Sequence, residues 1–168
     1  MYLCTEMESR RITCTGATKR GPGPLDRVIE VVSRVAPLCE RGGVTACLEP
    51  HLVLHGAEDF EAVFSAVSSP HVGLCLDTGH LWAAGENIFG IIDRFGPWIR
   101  SVHIKDHRGT PSVGIGRGEI PIPAVLRRLS GAGCQGFVAV ELEVADQENT
   151  PRYVREAYAN LQRWLGAL

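Results

Sequence analysis

The stretch Val72-Gly73-Leu74-Cys75-Leu76-Asp77-Thr78-Gly79-His80 carries the clearest structural signal in the chain. Its apolar run ends abruptly in a carboxylate, a small turn and a histidine. A buried parallel strand has this pattern when its carboxyl end delivers polar groups into a site. Three further apolar runs end in the same way, at Glu49, His103 and Glu141. We therefore interpret these four strand ends as parts of one polar site.

The composition is typical of a single globular domain. The 168 residues are 45% hydrophobic and 21% charged. This composition predicts a chain with a substantial hydrophobic core and not an extended disordered chain. We expect one domain over residues 1–168, with residues 1–10 irregular. A formal net charge of −2 offers no broad basic surface to a nucleic acid. No apolar run reaches the roughly 18 residues of a membrane span, and six dispersed cysteines suit a reducing, cytoplasmic location.

Strands and helices alternate along the chain. Apolar strand-like runs begin near residues 11, 44, 72, 100 and 137, and helical patterns separate them. We predict helices over Leu25–Arg41 (kinked or shortened at Pro37), 57–68, 80–96, from Pro121 or Pro123 to Leu129, and from Thr150 onward. A glycine-rich loop precedes the fourth of these helices. Five βα units of this kind predict an α/β fold with a parallel sheet covered by helices.

Alternation within the strands favours a barrel. Residues two positions before the four polar strand ends point the same way and are small, whereas the positions between them are aliphatic. The small set is Cys47, Cys75, Ser101 and Ala139, and the aliphatic set is Leu48, Leu76, Val102 and Val140. Small side chains inside and aliphatic ones outside suit a closed barrel with a site at its mouth.

Three carboxylates and one imidazole at neighbouring strand ends would repel one another without a cation. A divalent ion removes this repulsion, and the oxygen-rich donor set suits Mn²⁺ or Mg²⁺, with Co²⁺ and Zn²⁺ as further candidates. The alternative is that these residues cap helices, as Asp77 before Thr78 and Asp106 before His107 would do. Four equivalent positions in register favour the metal site.

The motifs also occur in an order that resembles a known family. Glu49-Pro50-His51, Asp77-Thr78-Gly79-His80, His103-Ile104-Lys105-Asp106, Gly114–Ile120 and Val140-Glu141 are similar to the motif series of the xylose isomerase-like TIM-barrel superfamily. That superfamily contains sugar (phosphate) isomerases and epimerases, inosose dehydratases and hydroxypyruvate isomerases. The resemblance covers roughly residues 11–168. It implies a partial (β/α)₈ TIM barrel, comprising the last five βα units without the first three.

The resemblance also implies residue roles. By this resemblance, the residues that correspond to the family's metal ligands are Glu49, Asp77, His103 and Glu141. Glu49 and Glu141 also correspond to the catalytic residues, which flank the substrate and transfer protons. His80 resembles a substrate-hydroxyl contact, and Lys105 and Arg117 are further substrate-binding candidates. Glu143 is an alternative ligand to Glu141, because it points the same way two residues later.

The implied function is metal-dependent isomerisation or epimerisation of a sugar, sugar phosphate or cyclitol through an enediolate. An inosose-type dehydratase would use the same enediolate, and this alternative stays open here. An AP endonuclease is less favoured, because its additional histidines and Asp-x-His motif are absent. A TIM barrel needs about 200 residues at minimum, so a non-catalytic barrel remnant is a further alternative. A homo-oligomer would cover the two sheet edges such a remnant exposes.

Overall fold

The computed structural model describes residues 9–15 and 23–168 of the chain. The strands in these ranges are β1 (Arg11–Thr15), β2 (Thr45–Glu49), β3 (Val72–Asp77), β4 (Ile99–Ile104), β5 (Asp106–His107), β6 (Ser112–Val113) and β7 (Phe137–Val140). The helices are α1 (Pro24–Gly42), α2 (Ala57–Ala66), α3 (Thr78–Ala83), α4 (Ile88–Phe95), α5 (Ile122–Gly131) and α6 (Thr150–Leu165). Short 3₁₀ turns cover Gly96–Trp98 and Gln147–Asn149. Among the described helices, none has the length and apolar character needed to cross a bilayer.

Five strands form one parallel sheet in the order β1-β2-β3-β4-β7. Each strand of this sheet pairs with the next strand of the sheet along the chain, and helices of the βα units pack against the strands. The structure is therefore an α/β partial TIM barrel, which confirms the predicted fold class. The predicted starts of all five strands are confirmed to within one residue.

The sheet is strongly curved. The strands β1 and β7 lie at opposite edges, yet the guanidinium of Arg11 lies 5.5 Å from the ring centroid of Phe137. Cys47 and Cys75, on the small-residue side of the strands, are fully buried, as are the aliphatic residues on the other face of β2, β3 and β4. The edge strand β7 differs, since Phe137 is 76% exposed.

The helix α1 begins and ends at glycines that adopt the left-handed conformation. Gly23 (φ 66°) precedes Pro24 at the first helical position, and Gly43 (φ 61°) follows the last residue. Four residues at helical spacing form its buried face: Val28, Val32, Ala36 and Cys39. Pro37 does not end the helix, which continues to Gly42.

The predicted helical segment 80–96 is wrong in one respect, because it consists of two helices. Gly85 (φ 75°) lies between α3 and α4 in a left-handed conformation that stops α3. Asn87 then caps α4, and its side-chain oxygen accepts a 3.1 Å hydrogen bond from the Gly90 N–H. Apolar periodicity runs across both helices, so it did not reveal the break.

The predicted glycine-rich loop contains the antiparallel pair β5–β6 and is organised by Asp106. The Asp106 carboxylate is 1% exposed and accepts four backbone N–H groups. These donors belong to His107 (3.0 Å), Gly116 (2.9 Å), Gly118 (2.9 Å) and Ile120 (3.3 Å). One buried carboxylate thus holds the whole loop between β4 and α5.

We expect Gly118→Ala to destabilise the protein by about 1–3 kcal/mol, the cost of leaving buried polar groups unsatisfied. A Cβ at Gly118 would overlap the Asp106 carboxylate and the His107 carbonyl. Gly131→Ala is the matched control, because its Cβ would have nothing within 4 Å. Urea unfolding followed by tryptophan fluorescence measures both. Equal free energies of unfolding for Gly118→Ala and Gly131→Ala would show that the Asp106 network does not hold the loop.

Candidate metal centre

Parallel pairing brings the four predicted metal ligands together. Glu49 and Asp77 are the last residues of β2 and β3, and Asp77 pairs with His103 of β4. Glu141 follows β7 directly, and its N–H donates to the carbonyl of Ile104 at 3.0 Å. One ligand atom from each of Glu49, Asp77, His103 and Glu141 lies within 4.8 Å of the others. We call this set the four-residue centre.

Three atoms of this centre are buried without a hydrogen-bond partner among the described residues: Glu49 Oε1, Asp77 Oδ2 and His103 Nδ1. The His103 Nδ1 lies 2.6 Å from Glu49 Oε1 and 3.1 Å from Glu141 Oε2, but neither contact is aligned as a hydrogen bond. Orphaned buried polar atoms are costly. A cation at their meeting point would satisfy all three, so the residues fit a divalent ion.

Asp77 combines the two roles that its sequence position suggested. Its Oδ1 accepts the His80 N–H at 2.7 Å and thereby caps α3. Its Oδ2 is one of the three unpartnered atoms of the four-residue centre. Helix capping and metal ligation are therefore compatible, because each uses a different oxygen.

Lys105 is buried beside the centre, 1% exposed, with its ammonium paired to two carboxylates. Its Nζ lies 2.7 Å from Glu141 Oε1 and 2.9 Å from Glu143 Oε2. Burial opposes its charge, but hydrogen bonds to these carboxylates outweigh burial and raise the pKa of Lys105. Burial likewise opposes ionisation of Glu141, yet Lys105 holds the pKa of Glu141 below its ordinary value. Glu141 therefore faces the centre as a carboxylate, while Glu143 pairs with Lys105.

Thr78 joins the ends of β3 and β4, a role that sequence reasoning missed. Its hydroxyl donates to the Lys105 carbonyl at 2.6 Å and accepts the Lys105 N–H at 2.9 Å. Gly79 lets the lysine stem pass close by, because a Cβ there would lie 2.5 Å from Lys105 Cδ. The Thr78-Gly79 turn thus fixes Lys105 beside the ligands. The signal in the sequence that could have revealed this role is the threonine–glycine pair directly after the predicted ligand Asp77.

The three predicted substrate contacts lie in different surroundings. The half-buried His80 stacks on His51, with ring centroids 4.5 Å apart and an interplanar angle of 25°. Burial, then the charges of Lys105 and His51, lower the pKa of His80, so its imidazole is neutral. Arg117 lies elsewhere: its guanidinium pairs with Glu156 at 2.8 Å and lies 5.2 Å from the Tyr153 ring centroid, both on α6. The structure brings His80 and Lys105 to the centre and directs Arg117 toward α6.

Two of the predicted ligands, Asp77 and His103, hold protons more tightly than usual. Burial raises the pKa of Asp77 to about 7, against the opposing His80 N–H and Lys105 charge. Contact with the Cys75 thiol, followed by contact with Glu49, raises the pKa of His103 to about 10. Near neutral pH the metal-free protein therefore carries protons that a cation must displace.

We expect stabilisation by Mn²⁺ to grow as pH rises from about 6 to about 8. Both raised pKa values mean that the metal-free fold binds protons more tightly than the unfolded chain. The stability they contribute is full at low pH and is lost as pH rises through about 7 for Asp77 and about 10 for His103. The cation competes with those same protons. Thermal midpoints with and without Mn²⁺ should therefore diverge with pH.

The control for this experiment is Asp93→Asn, which removes an exposed carboxylate paired with Arg128. In this variant, the difference between the thermal midpoints with and without Mn²⁺ should widen with pH as it does in the wild type. A Mn²⁺-induced shift that is constant over this pH range would contradict proton displacement from Asp77 and His103.

Comparisons with known proteins define the family. The profile of the xylose isomerase-like TIM barrel matches residues 1–165. The chain therefore belongs to the xylose isomerase-like TIM barrel family. A solved structure described as the IOLI protein with a binding zinc atom aligns with a TM-score of 0.85 and 22% identity. The alignment covers 99% of this chain and 66% of the IOLI chain. At this level of identity, the likeness shows that the two chains share a fold.

Curated relatives indicate the kinds of chemistry found in the family. Fructoselysine 3-epimerase of Escherichia coli O157:H7 is 28% identical over an aligned length of 139 residues. The match covers 78% of this chain and 50% of that protein. A probable AP endonuclease of African swine fever virus is 33% identical over an aligned length of 84 residues. That match covers only 45% of this chain and 27% of that protein. Other relatives include a D-psicose 3-epimerase, inosose isomerases, a mannonate dehydratase and an inosose dehydratase. The chain spans about half the length of the curated sugar relatives it matches.

Proposed function

We propose that this chain carries the site of a divalent-metal-dependent sugar or cyclitol isomerase or epimerase. The observation that supports this most is the placement of two carboxylates, Glu49 and Glu141, on separate strands around one cluster of unpartnered ligand atoms. Relatives that match most of this chain are sugar epimerases, inosose isomerases and an inosose dehydratase, whereas the nuclease match covers less than half of it. The net charge of −2 also disfavours a nucleic-acid substrate.

Glu49, Asp77, His103 and Glu141 would hold the cation. When bound, the ion supplies Lewis-acid stabilisation for negative charge that develops on the oxygens of a hydroxy-ketone. Three carboxylate donors favour Mn²⁺ or Mg²⁺, and the single imidazole keeps Zn²⁺ and Co²⁺ as candidates. The related IOLI structure is described as binding a zinc atom, which supports a divalent ion as the cofactor.

Proton transfer is assigned to Glu49 and Glu141. One carboxylate takes the proton from the carbon next to the carbonyl, and the C–H electron pair moves into the enediolate. If the other carboxyl group returns a proton from the opposite face, the carbon is epimerised. If the first carboxyl group returns the proton to the neighbouring carbon, and the hydroxyl proton passes from one oxygen of the enediolate to the other, the result is aldose–ketose isomerisation. His80, neutral and at the edge of the centre, is positioned to hydrogen-bond a substrate hydroxyl.

Glu141→Gln should reduce exchange of the substrate C–H proton with solvent deuterium by about 10²–10⁴-fold, the usual contribution of a general acid or base. The amide keeps a ligand oxygen but cannot accept the proton. Proton NMR in D₂O measures exchange on a panel of ketoses and inososes, and metal content is counted in parallel. Glu143→Gln is the matched control and should keep most of the exchange. Undiminished exchange in metal-loaded Glu141→Gln would sink the acid–base assignment.

The same NMR assay distinguishes dehydration, the second candidate. Loss of a β-hydroxyl from the enediolate gives a product one water lighter than the substrate, whereas epimerisation and isomerisation conserve mass. An inosose dehydratase among the relatives motivates this comparison. A non-catalytic barrel remnant would show neither deuterium exchange nor water loss.

We further propose that Lys105 is a positioning residue rather than a substrate contact. Its buried ammonium is paired to Glu141 and Glu143, and its backbone is fixed by Thr78. These contacts aim the Glu141 carboxylate and keep it ionised. A lysine with 1% exposure and two carboxylate partners has little capacity left for a sugar hydroxyl.

Lys105→Met should move the acidic limb of the pH–rate profile to higher pH. Without the ammonium, burial dominates and the pKa of Glu141 rises, so a higher pH is needed to ionise the base. Lys105→Arg keeps the charge and should restore part of the wild-type profile. An unchanged acidic limb in Lys105→Met, with the fold intact by circular dichroism, would contradict the positioning role.

A further inference from the structure

We propose that Cys75 determines which divalent ion the cation site prefers, because it serves as a ligand for soft ions. A thiophilic ion such as Zn²⁺ is bound by the Cys75 thiolate together with Glu49 and His103. One ligand atom from each of these three residues lies within 4.8 Å of the others, and we call them the sulfur set. This inference rests on the cation site of the proposed function, but not on the proton transfer assigned to it.

Cys75 reaches the site because of its position in β3. It lies two residues before Asp77, so both side chains point to the same face of the strand. In the neighbouring strand, Cys75 lies opposite Ser101, whose side chain is small, and Asp77 lies opposite His103. The pairing register shifts between Leu74 and Cys75, and such irregularities change where the following side chain points. The Cys75 thiol thus lies one layer below Asp77 and contacts the His103 imidazole.

The atoms beside this thiol are polar and point to a ligand. Glu49 Oε1 and His103 Nδ1 lie 2.6 Å apart, and neither has a hydrogen-bond partner among the described residues. The Glu49 side chain is also more than nine-tenths buried. A cysteine that only fills space behaves as a small hydrophobic side chain and suits apolar neighbours. Cys75 instead lies beside two orphaned ligand atoms, which a bound ion would satisfy.

Cys47 shows the contrasting case of a thiol that packs without such neighbours. It lies two residues before Glu49 on β2 and is fully buried, as Cys75 is on β3. Its Sγ donates to the carbonyl of Thr45 at 3.9 Å. It belongs to none of the clusters of candidate ligands in the part of the chain that the structure describes. Cys47 is therefore a matched control for Cys75.

The sulfur set and the four-residue centre are alternative positions for one ion. They share Glu49 and His103, and two divalent ions so close together would repel each other. A thiolate and one carboxylate carry two negative charges, which balance those of the ion, and the thiol proton passes to solvent when the ion binds. Thiolate and imidazole donors suit Zn²⁺, whereas the oxygen-rich four-residue centre suits Mn²⁺ or Mg²⁺.

X-ray absorption spectroscopy of the protein with one equivalent of Zn²⁺ tests this assignment. The wild type should show a Zn–S shell at about 2.3 Å besides nitrogen and oxygen neighbours at about 2.0–2.2 Å. Cys75→Ala should lose the sulfur shell, and Cys47→Ala should keep it. In equilibrium dialysis, Cys75→Ala should bind Zn²⁺ at least about tenfold more weakly, since even outer-shell partners contribute about 10–100-fold. It should bind Mn²⁺ with wild-type affinity.

Two results would overturn the role of Cys75 and leave the four-residue centre in place. The first is a zinc-loaded wild type with only nitrogen and oxygen neighbours, a measurement that needs no variant. The second is a sulfur shell that persists in folded Cys75→Ala, which would assign the sulfur to another thiol. A wild type that binds neither Zn²⁺ nor Mn²⁺ would contradict the proposed cation site and this inference with it. Circular dichroism melts establish folding, and Cys75→Ser replaces Cys75→Ala if that variant is unfolded.

Discussion

The parallel register of β2, β3, β4 and β7 is the constraint on which the site depends. Asp77 lies opposite His103 across one pair of strands, and the backbone of Glu141 is bound to Ile104 across the next. Because side chains alternate along a strand, a slip of one residue would turn a ligand to the helix-facing side. Cys75, two residues before Asp77, is small and fully buried, so it leaves room for the polar ends above it.

Excess negative charge governs the electrostatics of these strand ends. Four carboxylates lie there, and the buried Lys105 balances only part of their charge. Burial raises the pKa of Asp77, and contacts with the Cys75 thiol and then with Glu49 raise the pKa of His103, so both groups hold protons where a cation otherwise would lie. The unpartnered atoms Glu49 Oε1 and Asp77 Oδ2 lead to the same conclusion from geometry alone. Charge and hydrogen bonding thus both describe a centre arranged around a positive ion.

The sequence predicts the parts of this structure that local patterns encode. Apolar runs locate the five strands, and the polar residues near the ends of four runs identify the residues that cluster in the four-residue centre. The remaining features depend on contacts between residues far apart in the chain. Thr78 binds Lys105 27 positions later, Lys105 binds Glu143 38 positions later, and Arg117 binds Glu156 39 positions later. No periodicity reports such pairs, so Lys105 and Arg117 resemble substrate contacts until their partners are known.

Glu141 is held differently from the other three residues of the four-residue centre. Glu49, Asp77 and His103 lie on strands that pair on both sides, whereas β7 pairs within the described residues only with β4. Its exposed Phe137 receives the Arg11 guanidinium from the opposite edge, and its carboxyl end is tied to Ile104 and Lys105. Glu141 therefore depends on one strand pairing and on the charge of Lys105, whereas the other three residues lie on strands that are paired on both sides. Lys105 thus both keeps Glu141 ionised and anchors the strand end that carries it.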